Sequence, residues 1–140
     1  MSKINLKYTG KDLLFDVKNE SNYSITLGQT DNNTIKSARP MDLLLMALAS
    51  CSSVDIVKIL QTQKQELTDY RVEVDAKRQE NRVPSLFETI TLKFIFEGDL
   101  SPLKVERAVS LSIEKYCSVS KIIEQTATIN YELVLNGKTL

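Results

Sequence analysis

Apolar and polar residues alternate along the opening stretch of the chain. Ile4, Leu6 and Tyr8 are separated by Asn5 and Lys7, Thr9-Gly10-Lys11-Asp12 carries turn residues, and Leu13, Phe15 and Val17 resume the alternation. A period of two is that of a half-buried strand, so a short antiparallel meander is predicted here. A polar break at Asn19 to Asn22 precedes a third strand carrying Tyr23, Ile25 and Leu27. Residues Gly28 to Arg39 are predicted to loop, with Asp31-Asn32-Asn33 as a turn.

The pattern then changes period. Pro40 suits the first position of a helix running to about Gln63, and Asp42 in the first turn complements the exposed amides there. Leu43, Leu44, Met46, Ala47, Leu48, Val54, Ile56, Val57 and Ile59 surround this helix with apolar side chains, which predicts a place at the centre of a core, shared between two chains. Its middle, Ala47 to Ser53, is mostly small and contains Cys51. Met41 to Leu60 is the longest apolar stretch, but Asp42, Asp55, Lys58 and serines interrupt it, so it reads as a buried helix and not a membrane span.

Two strands follow. Tyr70, Val72, Val74 and Ala76 alternate with charged residues, a polar connection passes through Asn81 and Pro84, and Ile90, Leu92, Phe94 and Phe96 lead to Gly98-Asp99. Helical spacing of Val105, Ala108, Val109, Ser112, Ile113 and Tyr116 predicts a helix from Pro102 to Tyr116 with Ser101 as its cap. Cys117 comes next, ahead of a short helical segment for which Ser118 or Ser120 is the expected cap. A final strand runs from Ala127 to Leu135 and stops at Asn136-Gly137. Helices and strands do not alternate as regular crossovers, so the plan is α+β. At 140 residues the chain is one domain, 1–140.

Composition narrows the function. The 42% hydrophobic and 26% charged content is that of a globular domain. Lys and Arg total 18 and Asp and Glu 18, so no concentrated positive face is expected for nucleic acid or an anionic membrane. The small basic group Lys77, Arg78 and Arg82 reads as a solvated strand end. The N-terminus lacks the basic segment and apolar run of a secretory signal, so a cytoplasmic protein is expected. Two cysteines in a reducing compartment are then either inert buried thiols or a redox pair.

No histidine is present, which removes histidine triads, histidine-bearing zinc sites and the usual neutral-pH proton shuttle. Two cysteines cannot make a four-thiolate metal site, Asp31-Asn32-Asn33 lacks a calcium-loop pattern, and four glycines form no phosphate-cradling motif. No metal or cofactor is expected. Sulfur remains as the reactive element. A cysteine within an apolar helix is commonly a small core hydrophobe, whereas Cys117 at a helix start gains thiolate character from nearby amides. Spacing leaves open whether Cys51 and Cys117 are partners.

A resemblance bears on that question. Arg39-Pro-Met-Asp-Leu-Leu-Leu-Met-Ala-Leu-Ala-Ser-Cys51-Ser-Ser resembles the signature of the OsmC/Ohr-like proteins, in which a proline and an acidic residue open a central helix carrying a reactive cysteine. Ala108-Val-Ser-Leu-Ser-Ile-Glu-Lys-Tyr-Cys117-Ser-Val-Ser resembles their second cysteine motif. Arg78 through Pro84, Phe87, Ile90 and Gly98 are similar to the subgroup of uncharacterised OsmC-like proteins.

The resemblance implies an OsmC/Ohr-like fold, with antiparallel sheet regions packed around the long central helix, in an intertwined homodimer. It implies a thiol-dependent peroxidase acting on organic hydroperoxides or peroxide. Cys51 would be the peroxidatic thiolate and Cys117 the resolving thiol, with an external dithiol as reductant. Arg39 and Asp42 are the charged residues assigned to the site. In the well-studied peroxidases the arginine comes from the N-terminal strands, but residues 1–38 here contain none, so Arg39, or Arg78 or Arg82 across a dimer interface, would have to serve. Those peroxidases also place glutamate directly after the proline, where this chain has Met41 and then Asp42. These departures motivate an alternative: non-enzymatic binding of a hydrophobic or acyl ligand in a dimer-interface pocket. Glu114 is expected to pair with Lys115 or Lys121, Tyr116 to fill a helix–sheet interface, and Ser50, Ser52 and Ser53 either to bind a polar group near Cys51 or to permit close helix packing.

Overall fold

The structure is a computed structural model and describes residues 2–29 and 37–140. The turn expected at Asp31 to Asn33 lies outside the described residues. Two compact units divide the chain, Met1–Met46 and Ala47–Leu140.

In the first unit, β1 (Ile4–Tyr8), β2 (Leu13–Asn19) and β3 (Ser24–Gln29) form an antiparallel sheet in the order β1-β2-β3. The predicted meander is present. Asp12 adopts φ 55° and Gly10 φ 85° in its first turn, left-handed conformations that the short polar side chain and the glycine tolerate. Register places Leu6 beside Val17 and Val17 beside Ile25, and Tyr8 beside Phe15 and Phe15 beside Leu27. Residues in register share a face, so one side of this sheet is apolar. The opposite side carries Lys7, Asp16 and Thr26, whose hydroxyl donates to Asp16 at 3.0 Å.

Helix α1 (Pro40–Thr62) starts in the first unit and continues into the second. Its buried residues are Leu48, Ser52, Ile56 and Leu60, a single stripe at four-residue spacing. Outside that stripe, in one chain Leu44 is 43%, Met46 53% and Val54 66% exposed. Length and composition alone make α1 apolar enough to cross a membrane, a property shared with core helices of soluble proteins.

The second unit carries a four-stranded sheet in the order β4-β5-β6-β7, from β4 (Glu66–Arg78), β5 (Phe87–Asp99), β6 (Thr128–Leu135) and β7 (Lys138–Thr139). Strand β5 buries Ile90, Leu92, Phe94 and Phe96, the alternate residues of one face. It pairs antiparallel with β4 but parallel with β6. The sheet is thus mixed and not antiparallel throughout, because the connection from β5 to β6 passes through helices, as a parallel pair requires. The last strand does not end the chain's pairing at Asn136-Gly137, since β7 turns back onto β6.

That connection comprises α2 (Pro102–Leu111), a π turn (Ser112–Tyr116) and α3 (Ser118–Ile123). The helix expected to reach Tyr116 is regular only to Leu111. Ser101 stands at the N-cap of α2, but its side chain makes no capping bond; Pro102 at the next position removes one amide that would need it.

Candidate active site

The small residues in the middle of α1 direct their hydroxyls at their own helix. Ser52 donates to the Leu48 carbonyl at 2.8 Å, Ser53 to Ala49 at 2.6 Å and Ser50 to Ala47 at 3.2 Å. Such back-bonding satisfies a serine inside a helix. Ser53 also meets the hydroxyl of Tyr70 on β4 at 2.7 Å. Burial drives the Tyr70 phenol up to about 12, against the lowering effect of the Ser53 hydrogen bond. Cys51 lies in this segment as a free, half-buried thiol.

The π turn positions the second sulfur. Widening the last turn lets the Cys117 amide donate to the Ser112 carbonyl at 2.7 Å, five residues back. The backbone then leaves the helix, with Cys117 at φ −74° and ψ 105°, and Cys117 becomes the N-cap of α3. The expected caps, Ser118 and Ser120, give way to the sulfur itself, which accepts from the Ser120 amide at 3.4 Å. The Ser120 hydroxyl instead lies 2.8 Å from the carbonyls of both Ile113 and Cys117, which share its one hydrogen, and holds the turn closed.

Cys117 is fully buried. Burial raises the pKa of its thiol from the ordinary cysteine value, the Ser120 amide opposes the rise, and the nearby Cys51 thiol adds to it. The fold thus brings the two cysteines together from α1 and from the start of α3. Ser112 sits between their segments: its hydroxyl donates to the Ser52 carbonyl at 3.0 Å and lies 3.4 Å from the Asp55 carboxylate.

Asp42 is exposed and accepts from the Arg39 amide at 3.2 Å, so its carboxylate closes the first turn of α1. Arg39 is exposed as well. Arg78 donates to the Ser85 carbonyl at 2.6 Å and 3.2 Å within the β4–β5 connection, and Arg82 lies in the same region, beside Glu80 and Glu88. Glu114 accepts from Ser110 at 3.1 Å, while Lys121 pairs with Glu124 at 3.1 Å, which corrects the expected partner. Tyr116 is 51% exposed and does not fill a helix–sheet interface; it borders a cleft of about 430 Å³ with Asp55, Ile59 and Gln63.

Ser112 and Tyr70 were not singled out as site residues from sequence. The signal for Ser112 was a lone hydroxyl among apolar residues at helical spacing. Among the described residues no three His, Cys, Asp or Glu side chains are grouped as metal ligands.

A profile of the OsmC-like protein family matches residues 31–132. The chain belongs to this family. It is 43% identical over 106 residues to Protein YhfA from Escherichia coli strain K12, covering 74% of this chain and 78% of that one. The membership agrees with the resemblance read from the two cysteine blocks, and the place near uncharacterised OsmC-like proteins with that read from Arg78 through Pro84, Phe87, Ile90 and Gly98. A hypothetical protein from Aquifex aeolicus VF5 has a crystal structure that is 31% identical, covers 97% of this chain and 98% of that chain, and superposes with a TM-score of 0.82. An organic hydroperoxide resistance protein OsmC from Legionella pneumophila is 14% identical, covers 96% of each chain and gives a TM-score of 0.72, a likeness of fold alone. The α+β OsmC/Ohr-like fold, with its long central helix, is that of the family.

Proposed function

We propose that this protein is a thiol-dependent peroxidase or a closely related redox enzyme that reduces organic hydroperoxides or peroxide through a Cys51/Cys117 dithiol–disulfide cycle. The observation that carries the reading is the nearness of the two thiols, close enough for Cys51 to raise the Cys117 pKa. In the first step the Cys51 thiolate attacks the peroxide oxygen, the O–O bond breaks, and an alcohol or water leaves with Cys51 as sulfenic acid. In the second, the Cys117 sulfur attacks the Cys51 sulfur, water departs and the disulfide forms. An external dithiol then returns two electrons and two protons. Cys117 suits the resolving role because burial favours its neutral thiol, while the Ser120 amide is aimed at its sulfur. Arg39 supplies positive charge in this reading and Asp42 holds the helix start.

Titration with an alkyl hydroperoxide tests it. One equivalent should convert both thiols to an intrachain disulfide, and Cys117→Ser should trap a sulfenic acid at Cys51 that a dimedone-type reagent captures. A Cys51 that stays a thiol while a control peroxidase is fully oxidised would sink the reading. Arg39→Ala should slow the first step and leave disulfide exchange unchanged.

Homodimerisation and a cytoplasmic location complete the proposal. The exposed apolar residues of α1 and the apolar sheet face bearing Leu6, Tyr8, Leu13 and Ile25 support a second copy as cover. Two chains per particle in sedimentation at low micromolar concentration is the expected result; a monomer would overturn it. A second reading, the binding of a hydrophobic or acyl ligand, is favoured by the apolar cleft of about 530 Å³ that Leu6, Leu13, Phe15, Val17 and Leu27 line on the first unit. A lipid-like molecule retained by the Cys51→Ser/Cys117→Ser double variant in native mass spectrometry would support that reading.

A further inference from the structure

Three polar groups of Ser112 serve three segments. Its amide donates to the carbonyls of Ala108 and Val109 in α2. Its carbonyl accepts from the Cys117 amide at 2.7 Å. Its hydroxyl donates to the carbonyl of Ser52, the residue after Cys51, at 3.0 Å. A hydroxyl has one hydrogen to give, and the shorter contact takes it in preference to Asp55 at 3.4 Å. Ser112 and Ser52 are both wholly buried, so neither group can exchange its partner for water.

An unbroken route of two hydrogen bonds therefore runs from the residue beside Cys51 to the amide of Cys117. We infer that Ser112 is a positioning residue for the dithiol pair, holding the Cys117 turn onto α1 beside Cys51. The inference rests on the reading of the pair as redox partners. A π turn alone is a wide, adjustable element, and without an anchor the Cys117 sulfur would sample positions away from Cys51. The hydroxyl of Ser112 anchors that turn to the helix carrying the other sulfur. It pre-orders the reduced protein, so closing the disulfide costs less conformational freedom.

Equilibration with oxidised and reduced dithiothreitol tests this without any peroxide. Cys51 and Cys117 lose two electrons and two protons as their S–S bond forms, while the cyclic disulfide of the reagent gains them and opens to its dithiol. Ser112→Ala should lower the equilibrium constant for protein disulfide formation by about three- to tenfold, the factor that loss of one buried hydrogen bond corresponds to. Ser110→Ala, which removes a hydroxyl from the same helical run that serves Glu114 and Tyr131 and neither cysteine segment, should leave it unchanged. A Ser112→Ala protein with the wild-type exchange constant overturns the inference. If the wild-type protein itself forms no disulfide, the proposed function fails instead. Should Ser112→Ala not fold, Ser112→Thr, which keeps the hydroxyl, decides: a wild-type exchange constant supports the anchor, and a fall of about tenfold in a folded variant overturns it.

Discussion

The hydroxyl oxygens of Ser53 and Tyr70 lie 2.7 Å apart, joining α1 to β4 two residues beyond Cys51. Tyr70 also packs its ring against Phe96, with centroids 5.2 Å apart, so the bond sits at the edge of the core of the second unit.

That relationship predicts an alkaline stability profile. The Tyr70 phenol is held at about 12 in the fold, against about 10 for a free tyrosine. An acid raised in the folded state is neutral there while the unfolded chain already ionises. Its contribution is therefore fully present below about pH 10 and is lost as pH rises to about 12. Tyr70→Phe should flatten this part of the decline in urea unfolding measured across that interval. At neutral pH the same variant should lose about 1 kcal/mol, because the Ser53 partner goes. An unchanged alkaline slope would refute the assignment.

Ser120→Ala should act on both the turn and the sulfur. The carbonyls of Ile113 and Cys117 lose the hydroxyl whose one hydrogen they share at 2.8 Å. Equilibrium urea unfolding should show a loss of about 1–3 kcal/mol. The Ser120 side chain also lowers the Cys117 pKa, so the rise of thiolate absorbance at about 240 nm on titration should move to higher pH in the Cys51→Ser background.

Truncation along the buried stripe of α1 should separate core from surface. Leu48 and Ile56 are fully buried, and replacing either with Ala should cost about 2–5 kcal/mol through lost transfer energy and a residual cavity. Val54, at 66% exposure, should behave differently in a single chain: Val54→Ala should leave intrachain stability within about 0.5 kcal/mol. A larger loss that depends on protein concentration would report a subunit contact, and unfolding measured over a concentration series distinguishes the two.

Gly98→Ala should be poorly tolerated. Gly98 adopts φ 141° opposite the irregular pairing of Leu67 and Asp69, where an added Cβ would run into the Glu66 carbonyl. Its amide and carbonyl are both bonded to the Asn136 side chain, at 3.0 Å and 2.9 Å. Strain and displaced bonds together should cost about 3 kcal/mol or more, seen as a lower thermal midpoint.

The elements that follow from local chemistry were legible. Alternation at Ile4 to Val17 marked β1 and β2, and Pro40 with Asp42 marked the start of α1, because strand period and helix capping are properties of neighbouring residues. Boundaries were less legible where tertiary contacts extended an element: β4 begins at Glu66 and not Tyr70, since its pairing with β5 continues to Asp99 through an irregularity. The candidate site was half legible. Both cysteines stood in recognisable blocks, but the serines that bond their surroundings read as core spacing or as ordinary caps.

By itself, the sequence determined an α+β chain of this family, with a long apolar helix carrying Cys51, a second helical region leading to Cys117, and no histidine or other obvious nucleophilic centre. Tertiary structure alone decided that the two thiols come near one another, that the second helix ends in a π turn, that β5 and β6 run parallel, and that Ser112 reaches Ser52. The physical reason is range. Period and capping are decided within a few residues, whereas the Ser112 to Ser52 bond spans 60 positions and exists only once the helices and sheet have packed and excluded the water that would otherwise satisfy both groups.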